Sequence, residues 1–301
     1  MSSIEPTVAE TAAGRSPSRR LAVGLEGRPR VRLGLLLAGP LGWLGLAYIG
    51  SLVILFINAF WQRDVFTGQV ERDFTLANFA KLNDPTFIAV LVRTVGMAFA
   101  VTLACAVLAF PVAYFMARVA GPRLRAALVI AVILPLWASY LIKVYSWRLI
   151  FSNEGVLNWV LRPLGLEGPG FSEIALWVVF TYLWLPFMVL PIYAGLERIP
   201  NSMLDASGDL GGHPWMTFRR VVLPLAMPAV AAGSIFTFSL TLGDYIAPTL
   251  VSSTQFIGNV VYSNVGIANN LPLASAFATV PVAIMIVYLL IARRLGAFES
   301  L

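Results

Sequence analysis

Six long stretches without a single Asp, Glu, Lys or Arg constrain this chain more than any other feature: Leu33–Gln62, Thr94–Ala117, Ala126–Ile142, Ile174–Leu196, Val221–Gly243 and Tyr245–Ala292. A helix crosses a bilayer with about 20 apolar residues, so most of these stretches are long enough to span. The last is too long for one helix and contains the polar run SSTQFIGNVVYSNVGIANN from Ser252 to Asn270, which moves its spanning part to about 271–292. The expected fold is therefore an all-α membrane protein with six transmembrane helices, near 33–60, 88–117, 126–147, 174–194, 225–248 and 271–292. Composition agrees: 58% of residues are hydrophobic and only 12% charged, about half the charge of a soluble domain. That balance excludes disorder and argues against a soluble enzyme.

The scarce reactive residues narrow the chemistry. The single cysteine, Cys105, lies in an apolar run, and the single histidine, His213, lies in a loop. One of each, far apart, makes neither a metal cluster nor a nucleophile with its base, so no catalytic residue, metal or cofactor is expected. Arginines precede the first apolar stretch as in a signal peptide, but that stretch far exceeds the roughly 7–15 residues of a signal h-region and is read as an uncleaved span. Residues 1–32, rich in Ser, Pro, Ala, Gly and Arg, read as a disordered basic cytoplasmic tail, and 296–301 as a second short one.

Orientation follows from the basic residues between spans. The N-terminal tail holds Arg15, Arg19, Arg20, Arg28, Arg30 and Arg32, the next turn on that side Arg118, Arg123 and Arg125, the long loop Arg198, Arg219 and Arg220, and the C-terminus Arg293 and Arg294. The alternate segments hold Arg63, Arg72, Lys81 and Arg162, while Arg93, Lys143 and Arg148 sit at helix ends. The positive-inside rule then places both termini in the cytoplasm. The net charge of +6 is a topology signal rather than a nucleic-acid patch, so the bilayer is an expected partner and nucleic acid is not. Prolines within or beside the spans (Pro111, Pro135, Pro186, Pro191, Pro228, Pro248 and Pro281) are tolerated where neighbours or a cavity satisfy the freed carbonyls, and together they favour a moving bundle over a passive anchor.

The loop at 196–224, between the fourth and fifth spans, punctuates itself as two short helices. Pro200 and Asn201 open the first, Gly211-Gly212 close it, and Pro214 starts the second, which runs to Leu223-Pro224. Within it, Asp205-Ala206-Ser207 is followed after three residues by Gly211, after nine more by Val221, and after one more by Leu223-Pro224. This spacing resembles the EAA loop, E-A-A-x3-G-x9-I-x-L-P, of importer-type ABC permeases. Asp205 and Ser207 depart from its Glu and Ala, and Val221 replaces Ile. FTLANFAKLNDPTF at 74–87, LACAVLAFPVAYFMAR at 103–118, LPLWASYLIKVYSW at 134–147, LPFMVLPIY at 185–193 and LDASGDLGGHPWMTFRRVVLPLAMPAV at 204–230 resemble, in order, the spermidine/putrescine PotB-like branch of type I ABC importer permeases. The resemblance covers roughly residues 33–295.

The resemblance implies a permease subunit in the bacterial plasma (inner) membrane, forming half of a translocation path. It implies a second, PotC-like permease, a dimer of ABC ATPase subunits and an extracytoplasmic solute-binding protein. No GxxxxGK[ST] phosphate loop is present in this chain, so ATP is expected on the ATPase. Docking on it falls to Asp205, Ala206, Ser207, Leu210 and Gly211: small residues permit close approach, the carboxylate accepts hydrogen bonds and Leu210 offers an apolar knob. The bland alternative is an interfacial helix–turn–helix that merely closes a loop.

For the substrate path the candidates are Asp244, Tyr245, Trp137, Tyr140 and Lys143. Asp244 is the one acid inside the neutral spans; it either faces a cavity, where it would attract an ammonium group, or is solvated at the outer end of helix five. At 100° per residue Trp137, Tyr140, Val144 and Trp147 share one face of helix three, and aromatic faces bind amine cations. Trp147 and Trp184 are instead assigned to the aromatic belt at the membrane interface. Lys143 and Arg148 would repel a polycation unless they pair with Glu154 or Glu173 or face a docked binding protein; otherwise they would receive an anion such as a phosphonate, an opine or anion-bound ferric ion. Polyamine is the preferred substrate because five separate stretches resemble that branch. An ATP-independent secondary transporter would be expected to carry several intramembrane ionisable groups or paired broken helices, and neither pattern stands out in this sequence.

Overall fold

The computed structural model describes residues 29–64 and 66–297; most of the two terminal tails lies outside these. Two compact units divide the chain at Ile57 and Asn58. The first consists of α1, Pro29–Leu44, which passes through one π turn, Gly45–Ile49, into α2, Gly50–Asn58.

The second opens on a small antiparallel hairpin, β1 Gln62–Arg63 with β2 Val70–Glu71, in which Gln62 faces Glu71. After the short α3, Ala77–Ala80, Asp84 and Pro85 start the long helix α4, Pro85–Tyr114. The Asp84 carboxylate accepts from the Thr86 N–H at 2.7 Å, which holds it below the usual carboxylate range. A π turn, Phe115–Val119, ends this rod. Next come α5 Pro122–Trp137, α6 Tyr140–Phe151, α7 Val156–Leu161 and α8 Glu173–Glu197. The loop that follows carries α9 Asn201–Asp209 and α10 Pro214–Thr217. The rest of the chain is α11 Leu223–Gly243, α12 Ile246–Val251, α13 Ile257–Gly266 and α14 Leu271–Arg294.

Among the described residues five helices are long and apolar enough to cross a membrane, and α5 with the segment from Tyr140, bent by 90°, counts as a sixth where the pair is taken as one broken span. The centre is α4, α8 and α11, packed on one another around Val101, Cys105, Leu176, Val179, Leu183, Met188 and Ile192. In a bilayer helices gain little from hydrophobicity and depend on close approach. Gly195 meets Ala229 and Gly233 meets Met188 so closely that an added Cβ would fall 2.4 Å and 2.8 Å from those side chains.

Three expectations are corrected. Helix three is not one unbroken helix over 126–147: the chain is extended at Ala138 and Ser139, three and four residues beyond Pro135, so Trp137 and Tyr140 do not share a face. Helix five does not continue to 248, because it stops at Gly243 and a separate turn of helix begins at Ile246. The inner edges of the two expected tails, 1–32 and 296–301, belong to the folded chain, since α1 begins at Pro29 and Ala297 is buried among Ala231, Ala232 and Ala292; the polar run 252–270 contains α13, packed on α14. The two helix breaks are joined across the sequence by the Tyr140–Asp244 hydrogen bond, which hydropathy does not register.

Candidate functional site

The loop at 196–224 folds largely as its punctuation prescribes. Pro200 takes the N-cap position of α9, and Gly211 adopts φ +81°, the left-handed conformation that glycine enters without a Cβ penalty. The Gly211 N–H donates to the Gly208 carbonyl and the Gly212 N–H to that of Ser207, both at 2.8 Å. His213 caps α10 in an extended conformation, and its carbonyl accepts from Met216 at 2.9 Å.

One boundary differs. The second helix does not end at Leu223-Pro224 but runs on to Gly243 as a continuous 30-residue helix from Pro214. A π turn at Phe218–Val222 lies where Pro224 has no N–H to donate, and carries the chain past it. The second half of the loop, from Pro214, is therefore a helical extension of a span.

Asp205, Ala206 and Gly211 are exposed, and Leu210 is 89% exposed. Ser207 is turned inward: its Oγ lies 2.8 Å from Thr217 Oγ1. The departure from Ala in the motif thus ties α9 to the base of the α10–α11 rod. Of the five docking candidates, four present a surface and one braces it.

At the other end of α11, about 30 Å away for a helix of this length, the chain breaks at Asp244. Its carboxylate accepts from the backbone N–H groups of Ile246 at 2.8 Å and Ala247 at 3.1 Å, acting as the cap of α12. It also accepts from the Tyr140 hydroxyl, which lies at the start of α6. Two helix interruptions, at 138–139 and at 244–245, are thereby stitched together by one hydrogen bond. Tyr245 lies against Tyr262 of α13 with ring centroids 4.5 Å apart, beside an apolar pocket of about 350 Å³ lined by Leu242, Ile257, Val261, Tyr262 and Pro281.

The remaining path candidates separate. Trp137 is 87% exposed and takes no part in this cluster. Lys143 pairs with neither Glu154 nor Glu173, which bond Arg162 and Arg93 instead; its ammonium donates to the Pro135 carbonyl at 3.2 Å. That contact satisfies a C-terminal carbonyl of α5 and opposes the negative end of its dipole. Arg148 donates to the Leu250 carbonyl at 3.2 Å and covers the Phe171 ring at 5.2 Å.

Trp184 does not sit in an interfacial belt. It is 8% exposed, stacks at 6.1 Å on Tyr140, and its indole N–H has no hydrogen-bond partner among the described residues. The other residues the sequence reading passed over are Thr94 and Asn259. Thr94 Oγ1 accepts from the Ile257 N–H at 3.0 Å, capping α13. Asn259 donates to the Tyr245 carbonyl at 3.0 Å and to Thr249 Oγ1 at 2.7 Å. Both are short polar residues, a type suited to capping, but Thr94 lies inside α4 and Asn259 in the first turn of α13, and their partners are assigned only by the folded chain.

Comparison with known proteins agrees with this architecture. Residues 109–298 match the family of binding-protein-dependent transport system inner membrane components. The chain is 48% identical over 307 residues to the inner membrane ABC transporter permease protein YdcU of Escherichia coli K12, covering 95% of this chain and 98% of that one. It is 34% identical over 226 residues to the spermidine/putrescine transport system permease protein PotB of Salmonella typhimurium SL1344, covering 73% of this chain and 78% of that one. In fold it matches a chain of a bacterial ABC transporter involved in import of the acidic polysaccharide alginate, with TM-score 0.72 at 18% identity over 92% of this chain and 98% of that one. The chain belongs to this family of inner-membrane transport components and is an ABC importer permease.

Proposed function

We propose that this permease imports polyamines, spermidine or putrescine, and that it takes its power stroke through the loop at 196–224. The observation that carries the substrate assignment is the Asp244 carboxylate, partly buried where two broken helices meet. Its three donors occupy three of the about four acceptor positions a carboxylate offers, leaving one for an ammonium group. Tyr140 and Trp184 stack beside it and supply the aromatic faces that favour cations. The cations that would oppose such a substrate, Lys143 and Arg148, direct N–H groups at backbone carbonyls. The relative named as a spermidine/putrescine permease supports the same reading.

In this reading the basic loops and both termini face the cytoplasm. Asp205, Ala206, Leu210 and Gly211 form the face that seats on an ABC ATPase, with Ser207 bracing it from behind. A dimer of ATPase subunits, a second permease of the PotC type and an extracytoplasmic solute-binding protein complete the importer. ATP binding draws the ATPases together, and the docked loops follow as rigid bodies, so that nucleotide free energy selects between two arrangements of the bundle.

Two measurements test this. Uptake of labelled spermidine and putrescine by the reconstituted complex should be lost in Asp244→Lys; retained uptake would remove Asp244 from the path. Gly211→Asp places a side chain at φ +81° on the docking face and should release the ATPase on purification, whereas an intact complex would refute the docking assignment.

A further inference from the structure

We propose that Arg118 is the joint through which the docking helix α9 drives the membrane core, an inference that rests on the docking assigned above to that loop. Arg118 lies in the π turn that ends α4. Its Nη1 donates to Asn201 Oδ1 at 2.8 Å, at the first residue of α9. Its Nη2 donates to the carbonyls of Leu196 at 2.6 Å and Ile199 at 2.7 Å, where α8 ends. A helix C-terminus leaves its last carbonyls unmatched and carries partial negative charge, so one guanidinium satisfies the end of a span and holds the start of the docking helix together.

The base of this fork is itself fixed. Arg125, in the first turn of α5, donates through Nε to the Met116 carbonyl at 3.1 Å and through Nη2 to that of Ala117 at 3.2 Å, clasping the π turn on which Arg118 stands. Its Nη1 meets Glu197 Oε1 at 3.1 Å. Arg118 Nε is buried without a partner among the described residues, so the guanidinium is partly desolvated and its charge-assisted bonds are strengthened. From the other side Ser207 and Thr217 tie α9 to the rod that continues as α11. A displacement of α9 therefore reaches α4 and α8 through Arg118 and α11 through Thr217, and these three are the helices of the central core.

Arg118 is a positioning residue: it contacts neither the ATPase face nor the Asp244 region, so its loss should uncouple rather than disarm. The readout is solute moved per ATP hydrolysed by the full complex of permease pair, ATPase and solute-binding protein in vesicles. Arg118→Gln, with the ATPase still co-purifying, should lower that ratio about tenfold, since three charge-assisted bonds are lost. Arg118→Lys should recover it to within about threefold of the parent, because an ammonium keeps the charge but lacks the fork. A ratio in Arg118→Gln within about twofold of the parent would overturn the joint, twofold being below the loss of one such bond.

Asn201→Ala removes a single acceptor at an exposed position and decides the matter if Arg118→Gln fails to reach the membrane. It should lower the ratio about threefold, and an unchanged ratio overturns the proposal. Loss of the ATPase from the parent complex would instead break the docking reading on which the joint rests.

Discussion

The two ends of α11 are built by opposite means. At its N-terminal end the 196–224 loop is shaped by neighbours in sequence: Pro200 starts a helix, Gly211 turns the chain and Pro214 starts the next helix. Asp205 and Leu210 project outward there, and only Ser207 of the five docking candidates turns inward to bond a side chain. At its C-terminal end the break at Asp244 is held by residues 104 positions away, and the helix that packs beside it is capped by Thr94 from 163 positions away. There the polar side chains point inward and bond backbone groups and one another. A surface that binds another protein can be specified locally, because its energy is realised only in the complex. An interrupted helix inside a membrane must find partners within its own chain, since lipid offers none.

The sharpest way to break this contrast is Asp244→Ala, which strands the Tyr140 hydroxyl and the N–H groups of Ile246 and Ala247. It should cost about 3 kcal/mol, at roughly 1 kcal/mol or more per unsatisfied donor, read as a fall in the thermal midpoint of the purified permease. An unshifted midpoint would mean that the break is not held by this carboxylate. Next is Gly258→Val, whose Cβ would stand 2.6 Å from the Asp244 carbonyl oxygen. Displacing α13 should cost about 2 kcal/mol and reduce uptake while leaving the ATPase bound; a silent Gly258→Val would show that the close approach is dispensable.

Thr94→Val removes the cap on the Ile257 N–H, along with the hydroxyl's own bond to the Val90 carbonyl within α4, and should cost about 1 kcal/mol, measurable as earlier proteolysis or faster amide exchange across 257–266. The smallest stability effect belongs to the loop. Leu210→Ala, at 89% exposure, should change stability by less than about 0.5 kcal/mol yet weaken ATPase retention on co-purification. If Leu210→Ala destabilised the isolated permease as much as Thr94→Val, the distinction between an outward-facing and an inward-bonded end would fail.

Legibility in the sequence follows the same line. Spans are announced by charge-free length, and the helices of the loop by proline and glycine, because both are properties of a few consecutive residues. Trp137 and Trp184 show the limit. Both are tryptophans in apolar runs, and periodicity placed the first on a path-facing surface and the second in an interfacial belt. A two-residue extended segment at Ala138–Ser139 separates Trp137 from Tyr140, and the same bend brings Tyr140 onto Trp184. No window of hydropathy contains both partners of that contact. Lys143 is similar: its charge was visible, but its acceptor, the Pro135 carbonyl, which it shares with the Ala138 N–H, comes within reach only because the helix ends there.

What the amino-acid order determined alone is the class of solvent each segment tolerates and the capped helix–turn–helix of the 196–224 loop, since transfer free energy and turn geometry are local quantities. The tertiary structure decided where helices three and five break, which hydroxyl meets Asp244, and that Arg118 binds the end of one helix to the start of the next. Those are contests among distant donors for a few unmatched carbonyls and carboxylate oxygens, and their outcome depends on which groups the packed helices bring within hydrogen-bonding reach.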